Sequence, residues 1–201
     1  MWSLNDWKVV FVAVGLIGIL VFSLFSVVLF ARAPAGEVFS ELYVLGSGHM
    51  AEGYPFNVSS GGVYMVYLGV GNHMGGSSYY EVDVKFRNST DRLPNATSGE
   101  ESPLPVLYRY RVFLGDGGVW EAPLRFSLLN VVGSEGSFCY VGKLDVNGFV
   151  VDVKKAASWD GVNEGYYFQV FVELWRYNVT MGSLGFDGRF VSLWLNVTQS
   201  F

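Results

Sequence analysis

Hydrophobic residues are spread along this chain in two unlike ways. Across residues 9–31 they run on without a charge, as VVFVAVGLIGILVFSLFSVVLFA. A helix of that length covers roughly 34 Å, enough to cross a bilayer's hydrocarbon core with some tilt. Trp2 and Trp7 precede the run, at the depth where indole rings favour the membrane interface. Past Pro34 the pattern changes to short aromatic and β-branched stretches separated by Gly, Asn, Asp and Pro. It predicts strands at 39–45, 63–70, 79–87, 106–114, 124–131, 138–145, 149–153, 166–177 and 190–197. The fold class expected is mainly β, with one N-terminal transmembrane α-helix and an antiparallel β-sandwich of the Ig-like or jelly-roll-like kind. The boundaries follow: 1–8 a short cytoplasmic N-terminus, 9–31 the transmembrane helix, 32–38 a short stalk, 39–201 the extracytoplasmic sandwich.

Alternation assigns faces within two strands. In 190–197, Val191, Leu193, Leu195 and Val197 share one face, and Ser192, Trp194 and Asn196 the other. In 166–177, Tyr166, Phe168, Val170, Val172 and Leu174 make the core face, leaving Tyr167, Phe171 and Trp175 outside. Asn147-Gly148 supplies the positive φ angles of a two-residue hairpin turn. Residues 88–105, with Pro94, Pro103 and Pro105, read as a surface loop.

Composition adds topology. All four threonines stand third in an Asn-x-Ser/Thr sequon, and the acceptors are Asn57, Asn88, Asn95, Asn178 and Asn196. Ser and Thr make up about a ninth of the chain, so its ten asparagines would meet about one such motif by chance. The excess places the β-domain where an oligosaccharyltransferase works. The expected location is the cell membrane, N-terminus cytoplasmic and C-terminal domain extracellular. Asn196, opposite the core face, is expected to reach solvent. Lys8 and Arg32 flank the apolar run at either end, so charge orients it little. A cleaved signal peptide competes, through Ala31-Arg32-Ala33 or Ala33-Pro34-Ala35, but the run exceeds the 7–15 residues usual for one. Cys139 is the single cysteine, so no internal disulfide forms, and it reads as a small buried residue. So many sequons without a disulfide point to an archaeal surface. A net charge of −5 with no basic stripe argues against nucleic acid.

Catalytic signals are weak. No Gly-x-Ser-x-Gly elbow occurs, and His49 and His73 stand at neither triad nor metal-ligand spacing. The glycines of 69–76 lack the Gly-x-Gly-x-x-Gly spacing and lead into a strand. Glu41, Glu52, Asp116, Glu121 and Glu173 are scattered. No catalytic, metal or cofactor-binding residue is expected, and no cofactor. The chemistry left is aromatic. Tyr167, Phe171 and Trp175, beside Trp194, would offer a platform to sugar rings or a protein partner. The second sheet, a loop, or glycans at Asn178 and Asn196 would instead cover it.

Four segments carry a family likeness: FSELYVLG from Phe39, AEGYPFNV from Ala51, Gly69-Val70-Gly71-Asn72-His73, and Tyr80-Glu81-Val82. They resemble the extracytoplasmic part of the domain-of-unknown-function 1616 family, found mainly in archaeal membrane proteins. Trp120-Glu121-Ala122-Pro123 and Leu193-Trp194-Leu195-Asn196-Val197 resemble its later segments. The resemblance implies a membrane-anchored protein with a β-rich outer domain, and brings no catalytic residues. Many members carry several transmembrane helices before the domain, whereas this sequence has one such run. From the residues alone, Asn72-His73 reads as a loop opening a hairpin.

The expectation is a single-pass, N-glycosylated, non-enzymatic cell-surface protein with a structural or interaction role in the envelope or a membrane complex. A glycan-binding module and a pilin-like filament subunit are the alternatives. A pilin would show a basic residue followed by Gly or Ala before the apolar run, and Lys8-Val9 does not. The partners expected are the lipid bilayer, through 9–31, and a protein or envelope glycan.

Overall fold

In the computed structural model, which describes residues 4–31 and 37–198, the uncharged run forms one α-helix, α1 (Leu4–Ala31), of 28 residues. It begins ahead of the run because Asn5 to Lys8 continue the same turns. Over Trp7–Val27 α1 is long and apolar enough to cross a membrane. Its serines leave no hydroxyl unbonded: Ser23 Oγ donates to Ile19 O at 2.8 Å and Ser26 Oγ to Phe22 O at 2.9 Å. Trp2, Arg32 and residues 32–36 of the stalk lie outside the described residues. The β-domain, from Phe39 onward, is a separate unit.

Ten strands make that domain: β1 (Phe39–Leu45), β2 (Asn57–Val58), β3 (Tyr64–His73), β4 (Ser78–Asn88), β5 (Tyr108–Leu114), β6 (Val119–Ser134), β7 (Phe138–Val146), β8 (Phe149–Ser158), β9 (Tyr167–Asn178) and β10 (Ser183–Val197). They form two five-stranded sheets, ordered β1-β3-β6-β7-β8 and β2-β10-β9-β4-β5. Among the described residues only β2, on β10, pairs in parallel. Alternation sends Val66, Leu68 and Val70 of β3 and Leu124, Phe126 and Leu128 of β6 into the core. There they meet Tyr80, Val82 and Val84 of β4 and Phe168, Val170 and Leu174 of β9. Each such side chain contributes roughly 1.5–3 kcal/mol by leaving water. Asn147 (φ 53°) and Gly148 (φ 87°) turn β7 into β8 as the dipeptide predicts. Cys139 is fully buried, and burial alone pushes its thiol up to about 11. Iodoacetamide is therefore expected to leave Cys139 unmodified in the folded chain at pH 8 and to label it in urea; rapid native labelling would contradict its burial.

Two expectations change here. Asn72-His73 ends β3 rather than opening a loop, and β10 starts at Ser183, before a bulge between Phe186 and Arg189. Residues 89–107 form a surface loop, as expected, with Pro94 and Ser102 buried. They lie over the outer face of the second sheet, where Glu81, Asp83, Lys85 and Arg87 of β4 are all nearly buried. Lys85 Nζ donates to Glu173 Oε2 and to Ser102 O, each at 2.8 Å, and Ser102 N donates to Glu173 Oε1 at 2.8 Å. Arg87 Nη2 holds Ser89 O at 2.7 Å, and Arg109 forks onto Asp83.

Candidate functional site

An aromatic cleft opens at one end of the sandwich. Tyr167, the first residue of β9, points outward because Tyr166 and Phe168 on either side of it turn into the core. Its ring stands 6.3 Å from that of Trp194, edge to face at 85°, and 6.2 Å from that of Phe56, just before β2. Trp194 alternates with the buried Leu193 and Leu195 and is 45% exposed; Phe56 is 48% exposed. The turn between β8 and β9 supplies Asp160 and Asn163, Ser158 ends β8, and Ser89 directly follows β4. These residues line a cleft of about 330 Å³.

Asp160 builds its own turn. Its Oδ1 accepts from Val162 N at 2.9 Å and Asn163 N at 3.2 Å, and its Oδ2 from Asn163 Nδ2 at 2.7 Å. Those donors lower its pKa, the Asn163 side chain most, and favour the ionised carboxylate. Tyr167 Oη donates to Asn163 O at 2.5 Å, joining one wall to the floor. Flat apolar rings beside an ionised carboxylate, an amide and two hydroxyls can take a ligand with apolar faces and hydroxylated edges.

The aromatic row is not continuous. Phe171 is fully buried, contrary to expectation, because the face it shares with Gln169 and Glu173 lies under residues 89–107. Trp175 is half-buried towards the far end of β9, 6.2 Å from Phe186, and its buried Nε1 has no hydrogen-bond partner among the described residues. Only Tyr167 and Trp194 of the expected row come together, and Phe56, Asp160 and Asn163 join them. Asn196 also departs from expectation. It does face away from the core row, yet it is only 9% exposed, packed against Gly165 and Asn57. Of the other acceptors, Asn57 and Asn95 are exposed, and Asn88 and Asn178 are half-buried.

Two of the scattered carboxylates, Glu41 and Glu121, meet the two histidines elsewhere, on the outer face of the first sheet. The Tyr43 ring lies across Gly69, where a Cβ would collide with it, and Tyr43 Oη donates to Glu121 Oε1 at 3.0 Å. Burial and Glu121 push that phenol up to about 12. His49 stacks on Tyr67 at 3.7 Å, with its Nδ1 3.3 Å from Glu121 Oε2, and His73 stacks on Phe39 beside Glu41. Asp116 is engaged by Gly75 N, and Glu173 is buried as described. No three of the described His, Cys, Asp and Glu side chains converge on a metal position.

Comparison with known proteins gives one family. A model of a domain of unknown function, DUF1616, matches residues 33–135, which include β1 to β6 and Phe56 and Ser89 of the cleft. Among solved structures, β-glucosidase from Listeria innocua in complex with glucose superposes with a TM-score of 0.41 at 13% identity, over 82% of this chain and 17% of that one. Another structure of the same enzyme gives 0.40 at 13%, over 81% and 16%. The chain therefore spans about a sixth of those proteins. No curated protein sequence matches.

Proposed function

The chain belongs to the DUF1616 family, and from that premise we propose that it is a membrane-anchored binding protein, whose outer β-domain holds saccharide of the cell envelope in the Phe56–Tyr167–Trp194 cleft. The coarse part of this reading, an apolar helix joined to a β-domain, fits a membrane-anchored protein. The excess of sequons supports placing that domain outside, with α1 entering from the cytoplasm and glycans on the domain itself. The observation that carries the binding role is the cleft: three aromatic side chains on its walls and four polar ones along it. Sugar C–H faces stack on rings, and sugar hydroxyls bond to a carboxylate and an amide fixed in place. Asp160, kept ionised by its donors, offers sugar hydroxyls an acceptor.

Titrating the full chain in micelles with soluble hexose and N-acetylhexosamine oligosaccharides, followed by tryptophan fluorescence, tests the proposal. Trp194→Ala and Tyr167→Ala should each weaken binding by about 2 kcal/mol, roughly thirtyfold. Phe113→Ser, at an exposed site on β5, should leave it unchanged. Failure of every oligosaccharide to bind, or binding indifferent to Trp194, would remove the saccharide role.

A further inference from the structure

The side-chain amides of the five acceptor asparagines fall into two groups, and we infer that only Asn57, Asn95 and Asn178 take glycans on the folded domain, while Asn88 and Asn196 are structural. The inference rests on the reading that the domain faces an oligosaccharyltransferase. The modification acts on Nδ2. An Nδ2–C1 bond forms as the C1–O bond of a lipid-phosphate-linked oligosaccharide breaks. The departing phosphate keeps the electron pair, and one Nδ2 proton is released. An acceptor must therefore have an open Nδ2 and be able to give up one of its two N–H donors.

Asn95 and Asn178 meet both conditions. Each uses only its carbonyl, to close a turn: Asn95 Oδ1 accepts from Thr97 N and Ser98 N at 3.0 and 3.2 Å, and Asn178 Oδ1 from Thr180 N and Met181 N at 2.9 and 3.1 Å. Neither Nδ2 donates to a described residue, and Val179 and Met181 beside Asn178 are 85% and 77% exposed. Asn57 is exposed and likewise contributes only Oδ1, which accepts from Asn196 Nδ2 at 3.2 Å. A glycan there leaves that carbonyl free to go on accepting.

Asn88 and Asn196 spend the nitrogen itself. Asn88 Nδ2 donates to Ala156 O at 2.8 Å, crossing from β4 to β8 in the opposite sheet. Its Oδ1 accepts from Thr90 N, Thr90 Oγ1 and Asp91 N, so the hydroxyl of the sequon is consumed as well. Asn196 Nδ2 donates to Asn57 Oδ1, and its Oδ1 accepts from Tyr166 N at 3.2 Å. Even a Cβ on Gly165 would collide with Asn196 Oδ1, so a sugar ring has no room beside this amide.

Site-resolved glycopeptide mass spectrometry on the full chain, folded and produced in a glycosylating archaeal host, tests the assignment. Glycan is expected on Asn57, Asn95 and Asn178 and on neither Asn88 nor Asn196. Glycan on either of the latter in the folded fraction overturns it. A chain bare at every sequon would sink the outward-facing reading, and side-chain amide hydrogen exchange then decides the assignment separately. Asparagine-labelled full chain in micelles should exchange its Asn88 and Asn196 amides at least tenfold more slowly than Asn95 and Asn178. Equal rates overturn it.

Discussion

Glu173→Ala is expected to cost the β-domain about 3–5 kcal/mol, the usual penalty for breaking a buried ion pair from one side. Glu173 is fully buried on β9 and holds two groups, Lys85 Nζ and Ser102 N. Removing it leaves the Lys85 ammonium facing a single carbonyl, Ser102 O, and leaves the Ser102 amide unsatisfied. Urea unfolding should show a lower midpoint at unchanged slope. Residues 89–107 should also become accessible to protease under native conditions, because the strap has lost its anchor. Lys85→Met combined with Glu173→Leu should recover only the part of the loss due to the stranded ammonium, since Ser102 N and Ser102 O stay without their side-chain partners. A loss below about 1 kcal/mol for Glu173→Ala would mean that water reaches the pair.

Asn72→Ala is expected to be nearly as damaging, at about 3 kcal/mol. For a domain of this size that lowers Tm by roughly 6–12 °C. The Asn72 amide is buried where two hairpins meet. Its Nδ2 lies 2.8 Å from Gly76 O, 3.0 Å from Leu114 O and 2.9 Å from Gly115 O, while its Oδ1 accepts from Met74 N at 3.2 Å and Tyr80 Oη at 2.9 Å. Tyr80 Oη also meets Ser40 Oγ at 3.1 Å, so one side chain links β3, the β3–β4 turn and the β5–β6 turn to the sandwich interior. Asn72→Asp should be worse than alanine, because a carboxylate presents only acceptors to three carbonyls. Melting within about 2 °C of the parent would show that water can replace the amide.

Alternation along the chain revealed faces reliably and coverage poorly. β1 follows its predicted limits, and Leu193, Leu195 and Val197 are buried as a row, because period two in a half-buried strand is set by the strand alone. Whether the other face meets water depends on distant segments. Phe171 shows this: it shares a face with the polar Gln169 and Glu173, as an exposed aromatic would, but residues 89–107 lie over that face. That covering segment has no periodicity to announce it. Asn196 was misread for the same reason, since Gly165 and Asn57 reach it from other parts of the chain. β2 has two residues, too few for any pattern. The cleft was half legible. Tyr167 and Trp194 stand out as outward aromatics, whereas Phe56, Ser89 and the Asp160–Asn163 turn join them only through tertiary pairing. The Asp160-Gly-Val-Asn163 turn chemistry was the available clue.

The short parallel strand β2 bears on behaviour in crowds. Proteins held by one helix share a two-dimensional space, where a bare sheet edge readily recruits a neighbour's strand. β2 bonds to the edge of β10 through Asn196 N to Phe56 O at 2.7 Å and Thr198 N to Val58 O at 2.9 Å, closing the last residues of that strand to newcomers. The opposite edges carry Arg109 and Arg111 on β5 and Asp152, Lys154 and Lys155 on β8, whose charges resist intermolecular pairing. Two residues of strand thus help to keep neighbouring copies from joining their sheets edge to edge.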